Sequence, residues 1–375
     1  MPMSGATWWM DPAHRWMAAR QQEAADSMAV SRIGKGTLVL AMSGGKDSNA
    51  TAIHLSESGL LDAHRAAGGD VRFYFQDVGW ELPETYAYLP EVVQAFGPVQ
   101  HCALWVPGPD DTKPIIPAAK AMGSDTFWVP YWKTPTVMDP EPYELVLKYE
   151  QRLGHYSAFL RLIANKASFV PTQQRWCSRT MKTDVAAAYL ATLDDPWTAA
   201  GIRAEESEPR AATVPWGWST HHDAWAYSPI KWWTWEMVRD AHLRYGLRPN
   251  PIYLQGSGAG RCGCGPCIYS NREDLRWLLM EQKARLDLLA DFEQDVAKLP
   301  QAQRHARRGA PPPTWFTSTV KEASGQRREQ CAPLATILEW AKSKRGGRQL
   351  DMFFGHEQAG CVPWNMCEVP RKKVL

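Results

Sequence analysis

The sequence predicts an α/β protein built around a parallel β-sheet. Three short apolar segments have the character of buried strands, at Thr37–Met42, Val71–Gln76 and Gln100–Val106. Two segments with helical spacing, Asp47–Leu60 and Glu84–Phe96, separate them. Because strands that alternate with helices are joined by right-handed crossovers, we expect the strands to be parallel, with their carboxyl ends along one edge of the sheet.

The segments around these strands complete the predicted α/β unit. An amphipathic helix is expected from Pro12 to about Ile33, and a long ordered loop at Pro107–Thr136, which is rich in Pro, Gly, Asp and Trp. Helices are expected at Tyr143–Asn165 and Asp184–Leu193, and a further strand at Thr198–Ile202. The long loop would cover the carboxyl edge of the sheet, where ligands bind in open α/β folds.

The chain divides by composition into three parts. Its 375 residues exceed the usual size of one domain. We expect a helical segment at residues 1–34, the α/β domain at 35–287 and a basic, helical and loop-rich extension at 288–375. Within the extension, Arg304–Pro313 has the composition of a Pro-rich connector, and a helix is expected near Leu334–Lys344.

Composition limits the broad class of protein. A net charge of +2 creates no global field that requires a nucleic-acid partner. The N-terminus shows no secretory leader pattern and no segment reaches the length of a membrane span, so we expect a cytoplasmic protein with no membrane partner. The 19 Trp residues indicate either a Trp-rich core, which is favoured, or stacking surfaces.

A glycine-containing turn follows the first strand and opens a helix. Ser43-Gly44-Gly45-Lys46-Asp47-Ser48 supplies backbone N–H groups at a helix N-terminus, which can cradle a phosphate with help from the helix dipole. Glycine is required there because a side chain would hold the backbone away from the anion. The pattern is not a Walker sequence. The alternative is a tight strand-to-helix turn without a ligand.

With three further segments, this turn resembles the PP-loop ATP pyrophosphatases, specifically their phosphoadenosine phosphosulfate (PAPS) reductase-like branch. The segments are Asp77-Val78-Gly79-Trp80-Glu81-Leu82-Pro83-Glu84-Thr85, Gly201-Ile202-Arg203-Ala204-Glu205-Glu206-Ser207-Glu208-Pro209-Arg210, and Asn250-Pro251-Ile252-Tyr253 through Gly263-Cys264-Gly265-Pro266-Cys267. They are similar to the family patterns D-x-G-x-x-x-P-E-T, G-x-R-x-x-E-S-x-x-R, and N-P-x-Y with G-C-x-x-C. The resemblance implies an adenine nucleotide alpha hydrolase-like (HUP) domain.

The resemblance also implies roles for individual residues. The nucleotide phosphates, those of ATP with Mg²⁺, would be held by Ser43, Gly44, Gly45, Lys46, Asp47 and Ser48. Asp77 would lie beside the nucleotide or its Mg²⁺. Lys46 and Asp47 would act in catalysis together with Arg203 and Arg210, whose guanidinium groups suit bidentate contact with a phosphate or sulfate. The alternative for the two arginines is salt bridges with Glu205, Glu206 or Glu208.

The cysteines form a second constellation. Cys262, Cys264 and Cys267 lie among glycines, and Cys177, followed by Lys182, matches the family segment R-x-C-[ST]-x-x-x-K. Four thiolates suit a [4Fe–4S] cluster or a structural Zn²⁺, with plain thiols as the third alternative, and the resemblance implies the cluster.

The other cysteines leave the fourth cluster position undecided. The adjacent Cys-Cys pair of the cluster-bearing reductases is missing here, so the fourth ligand is Cys262, or Cys361 or Cys367, or the iron site stays open. Cys102, within a strand, is expected to be a small buried hydrophobe.

Two reactions remain in competition. The intact phosphate loop implies cleavage of ATP to AMP and pyrophosphate, which adenylates an acceptor for sulfur transfer. Loop and cysteines together resemble the sulfur-transfer proteins of DNA phosphorothioation and phage-encoded PAPS reductase-like proteins. The alternative is a PAPS or APS reductase that makes sulfite, although the terminal E-C-G-[IL]-H segment is absent and Cys367-Glu368 reverses its order. A non-catalytic nucleotide-binding module is the third hypothesis.

The partners follow from these hypotheses. We expect an adenine nucleotide, a sulfur donor such as a cysteine desulfurase, and DNA or tRNA as acceptor, and we leave oligomerisation open. The phosphate backbone would meet the basic C-terminal residues Arg304, His305, Arg307, Arg308, Lys342, Lys344, Arg345, Arg348, Arg371, Lys372 and Lys373. Trp315, Trp340 and Trp364 would stack on unpaired bases. The alternative is a solvated basic face.

Overall fold

Seven strands form the central sheet of the computed structural model, which describes residues 11–172, 174–254, 262–309, 312–321 and 327–342. In chain order they are β1 (Thr37–Ala41), β2 (Asp70–Asp77), β3 (Val99–Trp105), β4 (Thr126–Pro130), β5 (Trp197–Ala199), β6 (Trp216–Ser219) and β7 (Ala224–Tyr227). Across the sheet the order is β4-β3-β2-β1-β5-β7-β6, and each strand is parallel to its neighbours except β6, which is antiparallel to β7. The predicted α/β fold on a parallel sheet is confirmed.

Helices cover both faces of this sheet. They are α1 (Pro12–Ser31), α2 (Lys46–Glu57), α3 (Leu60–Ala66), α4 (Pro83–Phe96), α5 (Pro117–Ala121), α6 (Pro140–Leu153), α7 (Ala158–Lys166), α8 (Trp176–Ser178), α9 (Asp184–Leu190), α10 (Glu208–Ala211), α11 (Trp235–Tyr245), α12 (Arg272–Glu281), α13 (Lys283–Lys298), α14 (Pro300–Arg307) and α15 (Leu334–Lys342). A π-helical turn spans Arg179–Thr183, and 3₁₀ turns span Ala204–Glu206 and Pro251–Tyr253. Within the described ranges, no helix combines the length and apolar character needed to cross a bilayer.

Strand β1, in the middle of the sheet, is buried along almost all of its length because both faces of the sheet are covered. In β1, Val39 belongs to a core with α7, α9 and α13, whereas Leu38 and Leu40 belong to a second core with α1, α2 and α4. Alternate residues of a strand point to opposite faces, so each core receives every second side chain. Cys102 in β3 is fully buried, which confirms its expected hydrophobic role.

The region predicted as one long loop, Pro107–Thr136, contains helix α5 and edge strand β4. The prediction of an uninterrupted loop is therefore wrong. Strand β4 has only five residues and pairs on one side alone, with β3. Its Phe127, Trp128 and Val129 are too few to show a strand period between the flanking prolines and glycines, and pairing with β3 decides the conformation.

The predicted helix Tyr143–Asn165 is two helices, α6 and α7. Gly154 ends α6 with φ of 86°, in the left-handed region that favours glycine. Ser157 begins α7, because its hydroxyl oxygen accepts a hydrogen bond from the backbone N–H of Leu160 at 3.2 Å. Two end signals within four residues therefore divide the segment.

The last part of the described chain is more regular than expected. Arg304, His305 and Arg307, predicted to lie in a connector, lie in the last turn of α14. A hairpin of β8 (Phe316–Lys321) and β9 (Arg327–Ala332) follows, which sequence patterning did not indicate. Trp315 is buried, so its expected stacking on bases is wrong, whereas Trp340 is half exposed.

The other C-terminal residues assigned to phosphate contact or stacking lie outside the described residues, apart from Lys342 at the end of α15 and Arg308 after α14. Those outside are Lys344, Arg345, Arg348, Trp364, Arg371, Lys372 and Lys373, together with Cys361 and Cys367. The division at residues 34 and 287 stays a prediction.

A buried ion pair joins α6 to α7. The guanidinium of Arg161 donates to both carboxylate oxygens of Glu150 at 2.9 Å, and also to the carbonyl of Val106 at 2.9 Å. Asp111 is a further partner of the same guanidinium. Both side chains are almost completely buried. Each charge therefore compensates the other for the loss of its hydration.

We expect Arg161→Met to lower the free energy of unfolding by about 3–5 kcal/mol, because it leaves Glu150 buried without its cation. Urea denaturation measures this change. The matched control is Arg152→Met, which removes an exposed pair with Asp291 and should cost at most about 1 kcal/mol. Equal costs for the two variants would contradict this role of Arg161.

Candidate functional site

The turn between β1 and α2 has the geometry of an anion site. Gly44 has φ of 70°, which favours glycine, and Gly45 is the residue before the first turn of α2. The hydroxyls of Ser43 and Ser48 lie 3.1 Å apart, and Ser48 Oγ donates to the carbonyl of Gly45 at 2.9 Å. These bonds hold the turn in shape while the dipole of α2 favours a negative charge at its N-terminus.

Neighbouring segments approach this turn closely. A Cβ added to Gly45 would lie 2.9 Å from Cys262 Sγ and 3.6 Å from the hydroxyl of Tyr253. One added to Gly201 would lie 2.5 Å from the carbonyl oxygen of Asp47. Asn250 donates to the carbonyl of Gly44 at 3.2 Å. The quoted motifs therefore converge on the phosphate loop.

A chain of charges runs from the phosphate loop to the turn after β5. Lys46 Nζ lies 3.3 Å from Asp47, and Arg203 Nε donates to the other oxygen of Asp47 at 2.6 Å. Arg203 also pairs with Glu205 and is fully buried. Burial opposes the charge of Asp47, but Lys46 and Arg203 outweigh it and lower the pKa of this carboxyl. The carboxylate therefore stays ionised beside the loop.

The two arginines predicted to bind phosphate or sulfate have different partners in the structure. Arg203 contacts Asp47 and Glu205, whereas Arg210 is about half exposed and pairs with Glu206. This arrangement is the salt-bridge alternative, with Asp47 as an additional partner. Arg203 can position Asp47 directly, and its predicted contact with a ligand stays a prediction, as does that of Arg210.

Asp77 ends β2 and is buried below the surface of the site. One carboxylate oxygen accepts hydrogen bonds from the N–H of Gly79 at 2.6 Å and the hydroxyl of Tyr86 at 2.7 Å. The other oxygen lies 3.0 Å from His101 Nε2. Burial opposes its charge, but these hydrogen bonds outweigh burial and lower its pKa. Asp77 therefore shapes the turn that follows β2.

Backbone pairing joins that turn to residues 262–267, which we call the cysteine loop. The N–H of Leu82 donates to the carbonyl of Gly263 at 3.1 Å, and the N–H of Gly265 donates to the carbonyl of Trp80 at 3.2 Å. The guanidinium of Arg285 donates to the carbonyls of Glu81 and Gly265 and lies 3.9 Å from the centre of the Trp80 ring. This pairing brings the cysteine loop beside the phosphate loop.

Three cysteines come together and the fourth does not. Cys177, Cys264 and Cys267 are close enough for their charges to interact, and burial raises the pKa of Cys177 to about 11. Cys262 instead lies against the phosphate loop, with Sγ 3.9 Å from the carbonyl oxygen of Ser43. Burial also raises its pKa to about 11. The structure thus separates Cys262 from the other three predicted ligands.

Glu81 and Lys182 lie near the cysteines, and their charges act on both Cys262 and Cys264. Lys182 Nζ contacts Glu81 Oε1 at 3.2 Å, and Glu81, with smaller effects of Cys264 and Cys267, raises the pKa of the lysine. The other oxygen of Glu81 is buried without a hydrogen-bond partner and faces Gly263. A buried oxygen without a hydrogen-bond partner lowers the stability of the folded protein. Such atoms are typical of sites that bind a ligand or a proton.

Sequence reasoning gave no role to several of these residues. Glu81, Asn250 and Tyr253 lie within the quoted motifs, so the motifs contained the signal. His242 had none, because its helix α11 was not predicted, and its Nε2 lies 3.0 Å from the carbonyl oxygen of Lys46. In the described part of the chain, no group of three or more His, Cys, Asp or Glu side chains has metal-binding geometry.

Fold and site define an α/β protein with a glycine turn, suited in geometry to a phosphate, between the end of β1 and the start of α2. Residues 136–270 match the family model of the phosphoadenosine phosphosulfate reductase domain. Residues 136–270 therefore form a PAPS reductase domain, which supports a nucleotide-binding, sulfonucleotide-related function and indicates an enzyme.

Two relatives extend this comparison. The chain is 29% identical over 332 residues to the "Uncharacterized 37.8 kDa protein in gpa 5'region" of Escherichia phage 186, covering 84% of this chain and 90% of that protein. It is 36% identical over 69 residues to the "Adenosine 5'-phosphosulfate reductase" of Streptomyces coelicolor (strain ATCC BAA-471 / A3(2) / M145), covering 18% of this chain and 28% of that protein.

The turn after β7 carries a buried lysine with a lowered pKa. Lys231 is fully buried and donates to the carbonyl of Arg210 and the hydroxyl of Thr213. Burial, and then the charge of Arg210, lowers its pKa to about 8. The unfolded chain binds the extra proton more readily, so this residue's contribution to stability rises with pH between about 8 and the ordinary lysine value.

We expect the free energy of unfolding of the native protein, minus that of Lys231→Met, to rise by roughly 2–3 kcal/mol as pH goes from 8 to 10. Tyrosine ionisation affects both proteins and cancels in the difference. Lys283→Met, at an exposed helix position, controls for loss of a lysine charge. If this difference in the free energy of unfolding stays constant with pH, the pKa of Lys231 is not lowered in the folded protein.

Proposed function

We propose that the chain cleaves ATP between its α and β phosphates to adenylate an acceptor that then receives sulfur. The observation that carries this proposal is the intact phosphate loop at the start of α2 with a three-cysteine group held beside it. The PAPS reductase-like domain supports a site for an adenine nucleotide. The loop supports phosphate binding, and the cysteines support sulfur chemistry.

In the proposed first step, an acceptor oxygen attacks the α-phosphorus of ATP. The new oxygen–phosphorus bond forms as the bond to the β-phosphate oxygen breaks, and pyrophosphate leaves with the electron pair. Backbone N–H groups at Gly44 and Gly45, with the N-terminus of α2, would stabilise the developing negative charge. Lys46 would neutralise phosphate charge while Arg203 keeps Asp47 in position. A sulfur nucleophile then displaces AMP from the adenylated centre.

The residues fit the implied cofactors to different degrees. When bound, Mg²⁺ neutralises the pyrophosphate leaving group. Asp77 has both carboxylate oxygens in hydrogen bonds, which supports a role in shaping the turn. A [4Fe–4S] cluster would supply iron for holding sulfide or moving electrons, and its donors would be Cys177, Cys264 and Cys267. Among the described residues these thiols are not arranged as a metal site, so the cluster requires them to move closer together. Zn²⁺ in the same thiols is the alternative that metal analysis separates.

The proposed acceptor is nucleic acid, DNA or tRNA, and the proposed sulfur source is a donor such as a cysteine desulfurase. The second candidate function is reduction of a sulfonucleotide to sulfite. One observation favours it, which is the 69-residue match to a protein named adenosine 5'-phosphosulfate reductase. Sulfite formation from APS or PAPS with thioredoxin as reductant, and no pyrophosphate from ATP, would favour this candidate.

We expect slow conversion of ATP to AMP and pyrophosphate without an acceptor, measured by coupled pyrophosphate release. Gly45→Val should reduce the rate on the order of 100-fold, because a side chain there blocks close approach of the phosphate. The matched control, Gly217→Val in β6, should behave like the native protein, since a Cβ there meets only Val214. Release of ADP and orthophosphate would disprove this assignment.

Anaerobically purified protein should be brown and contain about four irons per chain. We expect Cys264→Ser to lose the colour, because that thiol lies with Cys177 and Cys267. Cys262→Ser should keep the iron, since its sulfur lies at the phosphate loop, and Cys102→Ser is the control in the core.

Iron analysis and the absorption spectrum decide between the outcomes. Loss of iron in Cys262→Ser would restore the four-cysteine set predicted from the sequence. Stoichiometric zinc without iron, also after reconstitution, would refute the cluster.

A further inference from the structure

A line of alternating aromatic and cationic side chains borders the three-cysteine group. We call it the aromatic-cationic ridge, and it consists of Tyr131, Trp132, Lys133, Lys166, Arg175, Trp176 and Tyr269. Its members come from three places in the fold, which are the chain after β4, the end of α7 with the start of α8, and the chain after the cysteine loop. The fold, and not one local sequence motif, assembles the ridge.

Five of the seven members contact one another in succession, and Arg175 follows through its position next to Trp176 in the chain. Lys133 Nζ lies 5.8 Å from the centre of the Trp132 ring, which lies 6.1 Å from that of Tyr131. Lys166 Nζ lies between two rings, 6.0 Å from Tyr131 and 5.6 Å from Trp176. Each separation is within the range of a cation–π or aromatic contact. These contacts link Lys133, Trp132, Lys166 and Trp176 through the buried ring of Tyr131.

The far end of the ridge reaches the cysteines. Arg175 lies 5.0 Å from the centre of the Tyr269 ring, and its charge acts on Cys177, two positions further along the chain. Tyr269 follows Cys267 by two positions and donates to the carbonyl of Thr172. The ridge therefore leads from the edge of the sheet directly to the three-cysteine group.

The exposed parts of the ridge carry positive charge without carboxylate partners. Trp132 is 46% and Tyr269 37% exposed, and Lys133 and Arg175 are exposed as well. Among the described ion pairs, none includes Lys133, Lys166 or Arg175. Residues 166–183 contain four cations and no Asp or Glu. Cations that lie on aromatic rings and have no carboxylate partner are complementary to a polyanion. The exposed rings are complementary to planar groups in the same polymer, on which they can stack.

We propose that the ridge binds single-stranded nucleic acid and directs unpaired nucleotides to the cysteine side of the site. Exposed rings stack on bases of any sequence, and interspersed cations track the phosphates. The bases of a duplex are already stacked on one another, so a duplex gains less from the rings. The inference deepens the proposed function by naming the surface that binds the acceptor and the single-stranded form it takes, and the role of the bound strand as acceptor rests on that function.

The test is fluorescence anisotropy with a labelled 12-nucleotide single strand, as DNA and as RNA, and with the DNA duplex of the same sequence. We expect the single strands to bind more tightly than the duplex at low salt. Trp132→Ala should weaken single-strand binding about fivefold or more, and Trp132→Phe should restore most of it, because stacking needs a ring. Circular dichroism verifies that each variant folds.

Charge and stacking are separated by salt dependence. Lys133→Gln combined with Arg175→Gln should reduce the slope of log K against log salt by about 0.7 for each lost phosphate contact. Trp132→Ala should leave the slope unchanged. Matched controls are Trp218→Ala, on the opposite edge of the sheet and 50% exposed, and Arg65→Gln on α3. Both controls should bind as the native protein does.

Three results would contradict the proposal that the ridge binds single-stranded nucleic acid. They are no binding of either single strand by the native protein, ridge variants that bind like the native protein, and equal losses on duplex and single strand. Loss of the whole salt slope in Arg304→Gln with Arg307→Gln would place the footprint on α14 instead.

Pyrophosphate release by the native protein, without acceptor, separates the two proposals. Its absence alongside ridge-dependent binding refutes the proposed function but supports the ridge as a binding surface. Its presence with ridge variants that bind normally refutes the ridge alone.

Discussion

The backbone pairing of residues 80–82 with residues 263–265 is the constraint on which the whole site depends. It joins the turn after β2 to the cysteine loop, two segments that are far apart in the sequence. Gly265 has no room for a side chain, because an added Cβ would meet the side chain of Leu82. Arg285 is buried against both segments and reinforces their contact. Closing so long a loop is entropically costly, and these hydrogen bonds and contacts offset that cost.

Charge is arranged differently inside the site and at its rim. Inside, the cations contact carboxylates, as Arg203 does with Asp47 and Lys182 with Glu81, because a buried charge without a partner is strongly unfavourable. At the rim, Lys133 and Arg175 lie on aromatic rings in contact with solvent. The inner charges hold the loops in position, whereas the outer charges are available to a ligand.

The two groups of sulfur atoms stand in different relations to the nucleotide site. Cys262 contacts the phosphate loop directly, so it would lie near the phosphates of a bound nucleotide. Cys177, Cys264 and Cys267 interact with one another and with Lys182. The proposed adenylation followed by sulfur transfer would use these two groups of sulfur atoms in different steps.

The sequence by itself determined the parallel sheet and the phosphate loop, because strand periodicity, helix spacing and a Gly-Gly turn are local properties of the chain. It also indicated the cysteine group, since three thiols lie within six positions. Only the tertiary structure decided that Cys262 leaves this group and that Arg203 contacts Asp47. It alone revealed edge strand β4, helix α11 and the aromatic-cationic ridge, because these depend on pairing and packing between segments that no local pattern relates.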